Sequence, residues 1–198
     1  MRSRDRILDA AAHVMGTIGL ARSTTREIAR QAGYSEAMLY KSFRTKEEIF
    51  LAVLKERVPG LTPLLGELPG RVGKSDVGRT VDELALTAVR FYRRSFPIAA
   101  SLFAEPQLLA AHRDFLREAG AGPQIVSEAV AAYLAAEQKR GRIDESADPK
   151  AVAHLLLGGC LNYAFLSNFT DHLPWPTDEE CAQALSASIK ALLWRAAS

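Results

Sequence analysis

Residues 23–50 read STTREIARQAGYSEAMLYKSFRTKEEIF, and this stretch decides the fold. Thr24 with Glu27 three residues later has the spacing of a capping box, in which hydroxyl and carboxylate each take a backbone amide that a helix start leaves free. The helix so opened carries Ile28 and Ala29 inward and stops at Gly33, which enters the left-handed conformation at no steric cost. Ser35 caps a second short helix with Leu39 and Phe43 four apart on its inner face. Thr45 and Glu48 repeat the box and open a third. Helix, glycine turn, helix is the layout that presents a second helix to the major groove of DNA.

The register of TTREIARQAGYS…LYKSFRTKEE also resembles the N-terminal signature of the tetracycline-repressor (TetR) family of transcription regulators. Leu39-Tyr40-x-x-Phe43, then basic Arg44, the capping residue Thr45 and Lys46, all fall in place relative to Gly33. The resemblance covers residues 4–58. Tyr34 departs from it, standing where an aliphatic residue is commoner. The resemblance implies an all-α fold: a helix-turn-helix DNA-binding domain over residues 1–58 and a helical ligand-binding and dimerisation domain over 59–198.

Charge points the same way. The chain of 198 residues has a net charge of +2. Residues 1–58 hold 11 Lys and Arg against 7 Asp and Glu, and residues 1–46 hold 9 against 4. A basic patch attracts and steers a polyanion, although most charge clusters are solvated surface. No apolar run approaches the ~20 residues that span a bilayer, and the N-terminal segment lacks the apolar core of a secretory signal. Cys160 and Cys181 make neither a disulfide framework nor a zinc cage, so a reducing cytoplasm is expected.

Helical periodicity continues along the chain. A first helix is expected over residues 3–18, with Ile7, Leu8, Ala11, Val14 and Ile18 on one face. Pro59-Gly60 closes the N-terminal domain, and the Gly- and Pro-rich segment 61–75 reads as a loop. A long helix follows over 76–96, striped with Val81, Leu84, Ala88, Phe91 and Ser95, and broken at Pro97. Further helices are expected over 106–119, 123–139, 149–169 and 177–195, the last opened by a Thr177–Glu180 box.

Thr25, Tyr40 and Lys46 are candidates for phosphate contact, because helix first turns favour an anion and a tyrosine hydroxyl can donate to a phosphate oxygen. Their positions match those used for backbone contact in the family that the chain resembles. Tyr40 packed against neighbours and Lys46 merely solvated is the alternative. Base reading falls to Glu36, Ala37 and Met38, with Lys41 and Arg26 nearby: Glu36 toward a cytosine amino group, Ala37 toward a thymine methyl. Lys41 fits a guanine edge or a phosphate, and Met38 fits the core equally well. Ser35, Ser42 and Arg44 complete the expected surface as backbone contacts.

Resemblance to the family further implies a two-fold homodimer on a near-palindromic site in double-stranded DNA, and a small-molecule effector. The last two helices are the expected dimer contact: GGCLNYAFLSNF mixes Gly158, Gly159 and Ala164 with large apolar groups, and Ala182, Ala184, Ser186, Ala187 and Ser188 line the final helix. Two internal helices would read the same way. Candidate effector-lining residues are Phe91, Phe103, Phe115, Tyr133, Asn162 and Tyr163, all equally at home in a core. Asn162 suits either a ligand or a bond across the dimer. No cofactor is expected. His13, His112, His154 and His172 lack metal-ligand spacing, and no nucleophile elbow, phosphate-binding glycine loop or carboxylate pair points to an enzyme. The sequence therefore predicts a ligand-released repressor, with a constitutive dimeric DNA-binding protein as the alternative.

Overall fold

Local capping sets most of the helix starts. The computed structural model describes residues 3–19, 22–57, 60–118, 120, 122–170 and 172–194, the side chains of 54 and 55 excepted. Among these residues the chain is helical with no strand: α1 (Ser3–Ile18), α2 (Thr25–Ala32), α3 (Glu36–Tyr40), α4 (Lys46–Glu56), α5 (Thr62–Arg71), α6 (Val77–Leu102), α7 (Pro106–Glu118), α8 (Pro123–Gln138), α9 (Pro149–Phe169) and α10 (Asp178–Leu193). The boxes of Thr24 with Glu27 and Thr177 with Glu180 both form in full. The third forms by half. Thr45 Oγ1 accepts from the Glu48 amide at 3.2 Å, but the Glu48 carboxylate accepts from the Arg44 amide at 2.7 Å, one residue beyond the cap. Val58, Pro59, Ala119 and Arg195, named above as element ends, lie outside the described residues.

Two expectations are corrected. Residues 61–75 are not a loop, since α5 runs through Gly66 and Pro69. Leu61, Leu64 and Leu68 recur at helical spacing and are buried, which outweighs weak local propensity. Nor does Pro97 end the helix: α6 is continuous to Leu102. Proline removes the amide that would bond the carbonyl of residue 93, and Asn168 Nδ2 donates to that Arg93 oxygen at 3.4 Å.

The chain packs as two units, residues 1–59 with 94–120 and residues 60–93 with 121–198. The expected segment 1–58 lies within the first unit, which also takes in 94–120. Its core joins Ile7, Leu8, Ala11 and Met15 of α1 to Ile28 and Ala29 of α2, Leu39 of α3, Phe43, and Ile49, Phe50 and Val53 of α4. Ile18, expected on the core face, is instead 38% exposed. Ion pairs tie α1 to the end of α4: Arg4 to Glu56 at 2.6 Å, and Arg57 to Asp5 at 2.9 Å and Asp9 at 2.7 Å.

In the second unit, the α6 stripe of Val81, Leu84, Ala85 and Ala88 packs with Val130 and Leu134 of α8, Leu156 and Cys160 of α9, and Ile189 and Leu193 of α10. Glu137 is fully buried, where it accepts from the Gly73 amide at 3.1 Å and pairs with Arg142 at 3.1 Å. α9 has 21 residues, and an 18-residue window of it reaches a mean hydropathy of 1.2, long and apolar enough by composition alone to cross a membrane. The buried face of Val152, Leu156, Cys160 and Tyr163 makes it a core helix. Leu84 is 0% exposed, so Leu84→Ala should lower unfolding stability by about 2–5 kcal/mol, read from urea denaturation.

Candidate nucleic-acid interface

A five-residue helix is too short to be stable alone, so α3 is held at its N-terminal end and from behind. Gly33 lies at φ 74°, ψ 33°. Its amide donates to Arg30 O at 3.1 Å, and the Tyr34 amide reaches Ala29 O at 2.9 Å, a pair of bonds that closes α2 and reverses the chain. Ser35 then caps α3, its Oγ accepting from the Met38 amide at 3.3 Å. Leu39 and Phe43 face inward, 0% and 2% exposed.

Arg6 of α1 locks this turn. Its guanidinium donates to Ala32 O at 3.0 Å and lies 4.9 Å from the centre of the Tyr34 ring. A cation at the end of α2 opposes the negative end of that helix, and the aromatic face adds a cation–π contact. Tyr34, the departure from the usual pattern, thus has a local role. Arg4 lies 5.2 Å from the Phe43 ring while paired with Glu56. Neither arginine was legible as part of the site, since no local spacing signals a contact 26 or more residues away.

With its back buried, α3 turns Glu36, Ala37 and Tyr40 outward, and Lys41 and Arg44 beyond it are also exposed. Ser35 and Arg26 are exposed beside them, whereas Thr25, Met38, Ser42 and Lys46 are half-buried. The expected residues thus lie on α2, on or beside α3 and at the start of α4, all exposed or half-buried. Three of them touch: Thr25 Oγ1 donates to Glu36 Oε1 at 3.2 Å and lies 3.3 Å from Tyr40 Oη.

Residues 7–53 match the family model described as bacterial regulatory proteins, tetR family. The helix-turn-helix segment is thus of the TetR type. It is 25% identical over 138 residues to the uncharacterized HTH-type transcriptional regulator YvkB of Bacillus subtilis (strain 168), spanning 70% of this chain and 69% of that protein. The fold is similar to that of the fatty acid degradation regulator FadR from Bacillus halodurans, with a TM-score of 0.68 at 15% identity over 98% of this chain and 95% of that one. FadR from Bacillus subtilis in complex with stearoyl-CoA is similar with a TM-score of 0.67 at 16% identity, over 96% and 97% of the two chains. Residues 7–53 therefore match the helix-turn-helix segment of bacterial regulatory proteins.

The six effector-lining candidates are divided between the two units. Phe103, 77% exposed, and half-buried Phe115 belong to the first unit. Phe91, Tyr133, Asn162 and Tyr163 belong to the second. Tyr133 and Tyr163 are core residues there, with Phe91 packed against the same cluster. Burial pushes the Tyr133 phenol above its usual range. Tyr163 donates to the Pro176 carbonyl and meets Trp175 edge-on, ring centres 6.2 Å apart. Asn162 is exposed on the outer face of α9. The most pocket-like features among the described residues are two shallow grooves. One of about 240 Å³ is lined by Arg6, Asp9, His13 and Gln31, and one of about 260 Å³ by Asp82, Leu86, Glu179 and Lys190. Among the described residues no three His, Cys, Asp or Glu side chains converge as a metal site.

A Cβ at position 33 would meet Arg6 Nη2 at 3.2 Å and force φ of +74° on a side-chain-bearing residue. Gly33→Ala should lower stability by about 1–2 kcal/mol and shift the amide signals of α3 in NMR spectra.

Proposed function

We propose that the chain is a dimeric repressor that grips a near-palindromic operator through paired α3 helices and is released by a small amphipathic or hydrophobic ligand. The observation that carries this reading is α3 itself: a short helix capped at one end, anchored by two buried side chains, with its polar face exposed. Thr25, Tyr40 and Lys46 border that face and serve as phosphate contacts. Glu36, Ala37 and Lys41 project from it as base readers, with half-buried Met38 a lesser one. A protein that works on DNA in this way acts in the cytoplasm of a bacterial cell.

Dimerisation through α9 and α10 supplies the second copy. Leu155, Leu161, Phe165 and Phe169 are 57%, 42%, 40% and 76% exposed on α9. Gly158 and Asn162 are exposed between them, and α10 presents Ala184, Ala187, Ser188 and Ala191. Large apolar groups over small ones suit close helix packing, and so wide an apolar face is unusual on a monomer. Two reading helices in such a dimer fit half-sites about one helical turn apart.

Release requires a ligand that prefers a conformer with wrongly spaced reading helices. Moving the population from nearly all bound to nearly all released takes about 5.5 kcal/mol of differential affinity. The stearoyl-CoA complex of the structurally similar FadR supports an amphipathic acyl ligand of that class. The core of the second unit is closed around Tyr133 and Tyr163, so binding must displace core side chains. Stearoyl-CoA titrated into a complex with DNA flanking the protein's own gene should release that DNA. Unchanged DNA affinity with bound acyl ligand would leave a constitutive binder.

Two substitutions test the DNA and dimer assignments. Lys46→Ala should weaken binding to cognate and unrelated duplexes alike and reduce the slope of affinity against salt by roughly one counterion. Phe165→Glu should convert the dimer to a monomer in sedimentation velocity and cost at least about tenfold in operator affinity.

A further inference from the structure

We propose that Glu36 acts as an internal stand-in for a phosphate, occupying the Thr25–Tyr40 hydroxyl pair until a base edge draws it away. The inference rests on the DNA-binding reading above and adds a specificity device to it. Thr25 Oγ1 is 3.2 Å from Glu36 Oε1 and 3.3 Å from Tyr40 Oη. Thr25 has one hydroxyl proton, and the carboxylate can only accept it. The threonine oxygen is then left to accept from Tyr40. Both donors assigned to the DNA backbone are therefore directed along a chain that ends on an anion.

A phosphate oxygen also only accepts, so it competes with Glu36 for the Thr25 proton and with Thr25 Oγ1 for the Tyr40 proton. It also meets a negative charge at close range. On a sequence that offers no partner to the carboxylate, the protein must either exchange the Thr25–Glu36 bond for water while keeping the negative charge beside the phosphate, or leave its hydroxyls unavailable. Where a cytosine amino group lies within reach of α3, Glu36 turns outward to accept from it. That single rotation satisfies the carboxylate and frees Thr25 and Tyr40 for the backbone. Base reading and backbone grip are thereby coupled, and unrelated DNA is held less tightly.

The coupling is tested by fluorescence anisotropy with a duplex of alternating A·T pairs about two helical turns long, roughly 20 base pairs, which carries no cytosine. Full-length wild type, Glu36→Ala, Glu47→Ala, Thr25→Val and the Glu36→Ala/Thr25→Val pair are compared at low salt. Glu47 is an exposed acid in the first turn of α4, so its removal reports the effect of charge alone. Glu36→Ala should bind this duplex roughly fivefold more tightly than wild type, and more tightly than Glu47→Ala. Thr25→Val should change wild-type affinity by less than about twofold and weaken the Glu36→Ala protein by about threefold. A gain in Glu36→Ala no larger than in Glu47→Ala, or an equal cost of Thr25→Val in both backgrounds, overturns the inference. If no variant binds any duplex, including DNA flanking the gene, the DNA-binding reading itself fails.

Discussion

Burial of Leu39 and Phe43 behind α3 is the contact on which the interface depends. Helix nucleation fixes several dihedrals for one hydrogen bond, so five residues gain too little from their own ladder to stay helical in water. Apolar burial replaces the missing bonds, each large side chain contributing about 1.5–3 kcal/mol. The gain is realised only if the chain arrives at the correct angle. Gly33 in its left-handed turn, with Arg6 across the end of α2 and over Tyr34, fixes that angle. The ion pairs of Arg4 and Arg57 close α4 against α1 and so hold the surface on which α3 rests. Exposed pairs of this kind contribute little singly; their effect here is to keep the helices registered.

What was legible in the sequence follows the range of the interaction. Thr24 with Glu27 and Thr177 with Glu180 are partners three residues apart, so the pattern and the bond coincide. Thr45 with Glu48 shows the limit, because a carboxylate on a flexible stem selects the Arg44 amide instead. Where two local signals conflict, burial decides. The prolines and glycines of 61–75 punctuate the chain, yet the Leu61–Leu64–Leu68 stripe is buried and α5 forms. Pro97 is carried within α6 because the remote Asn168 side chain takes the carbonyl it leaves free. Neither outcome is encoded in a short window.

The same limit applies differently to the two sets of candidates. Along α2 and α3 every expected contact lies within about twenty residues of the others, so helical spacing alone places them on one surface. The aromatic candidates for the effector are spread over residues 91–163, and helical period says only that each faces some interior. Spacing cannot separate Tyr163, bonded to Pro176 and edge-on to Trp175, from Phe103, which is largely exposed. Asn162 was singled out because a buried amide needs partners, but the face of α9 that carries it points outward. There it borders Leu161 and Phe165, in keeping with the other role considered for it.

The cysteines narrow how the second unit can carry a signal. Cys160 is fully buried, with its thiol directed at the Ala85 carbonyl at 3.8 Å, and burial pushes its pKa up to about 12. At neutral pH that leaves on the order of one thiolate in 10⁵, and the thiolate is the reactive form. Cys181 is also buried and its pKa is raised by desolvation. Oxidant sensing at either position would require the core to open first. Under the proposed ligand release, an apolar ligand would have to open the same core and would gain the exposed surface in return, whereas an oxidant gains nothing until the thiol ionises. Core packing therefore opposes thiol chemistry at both positions.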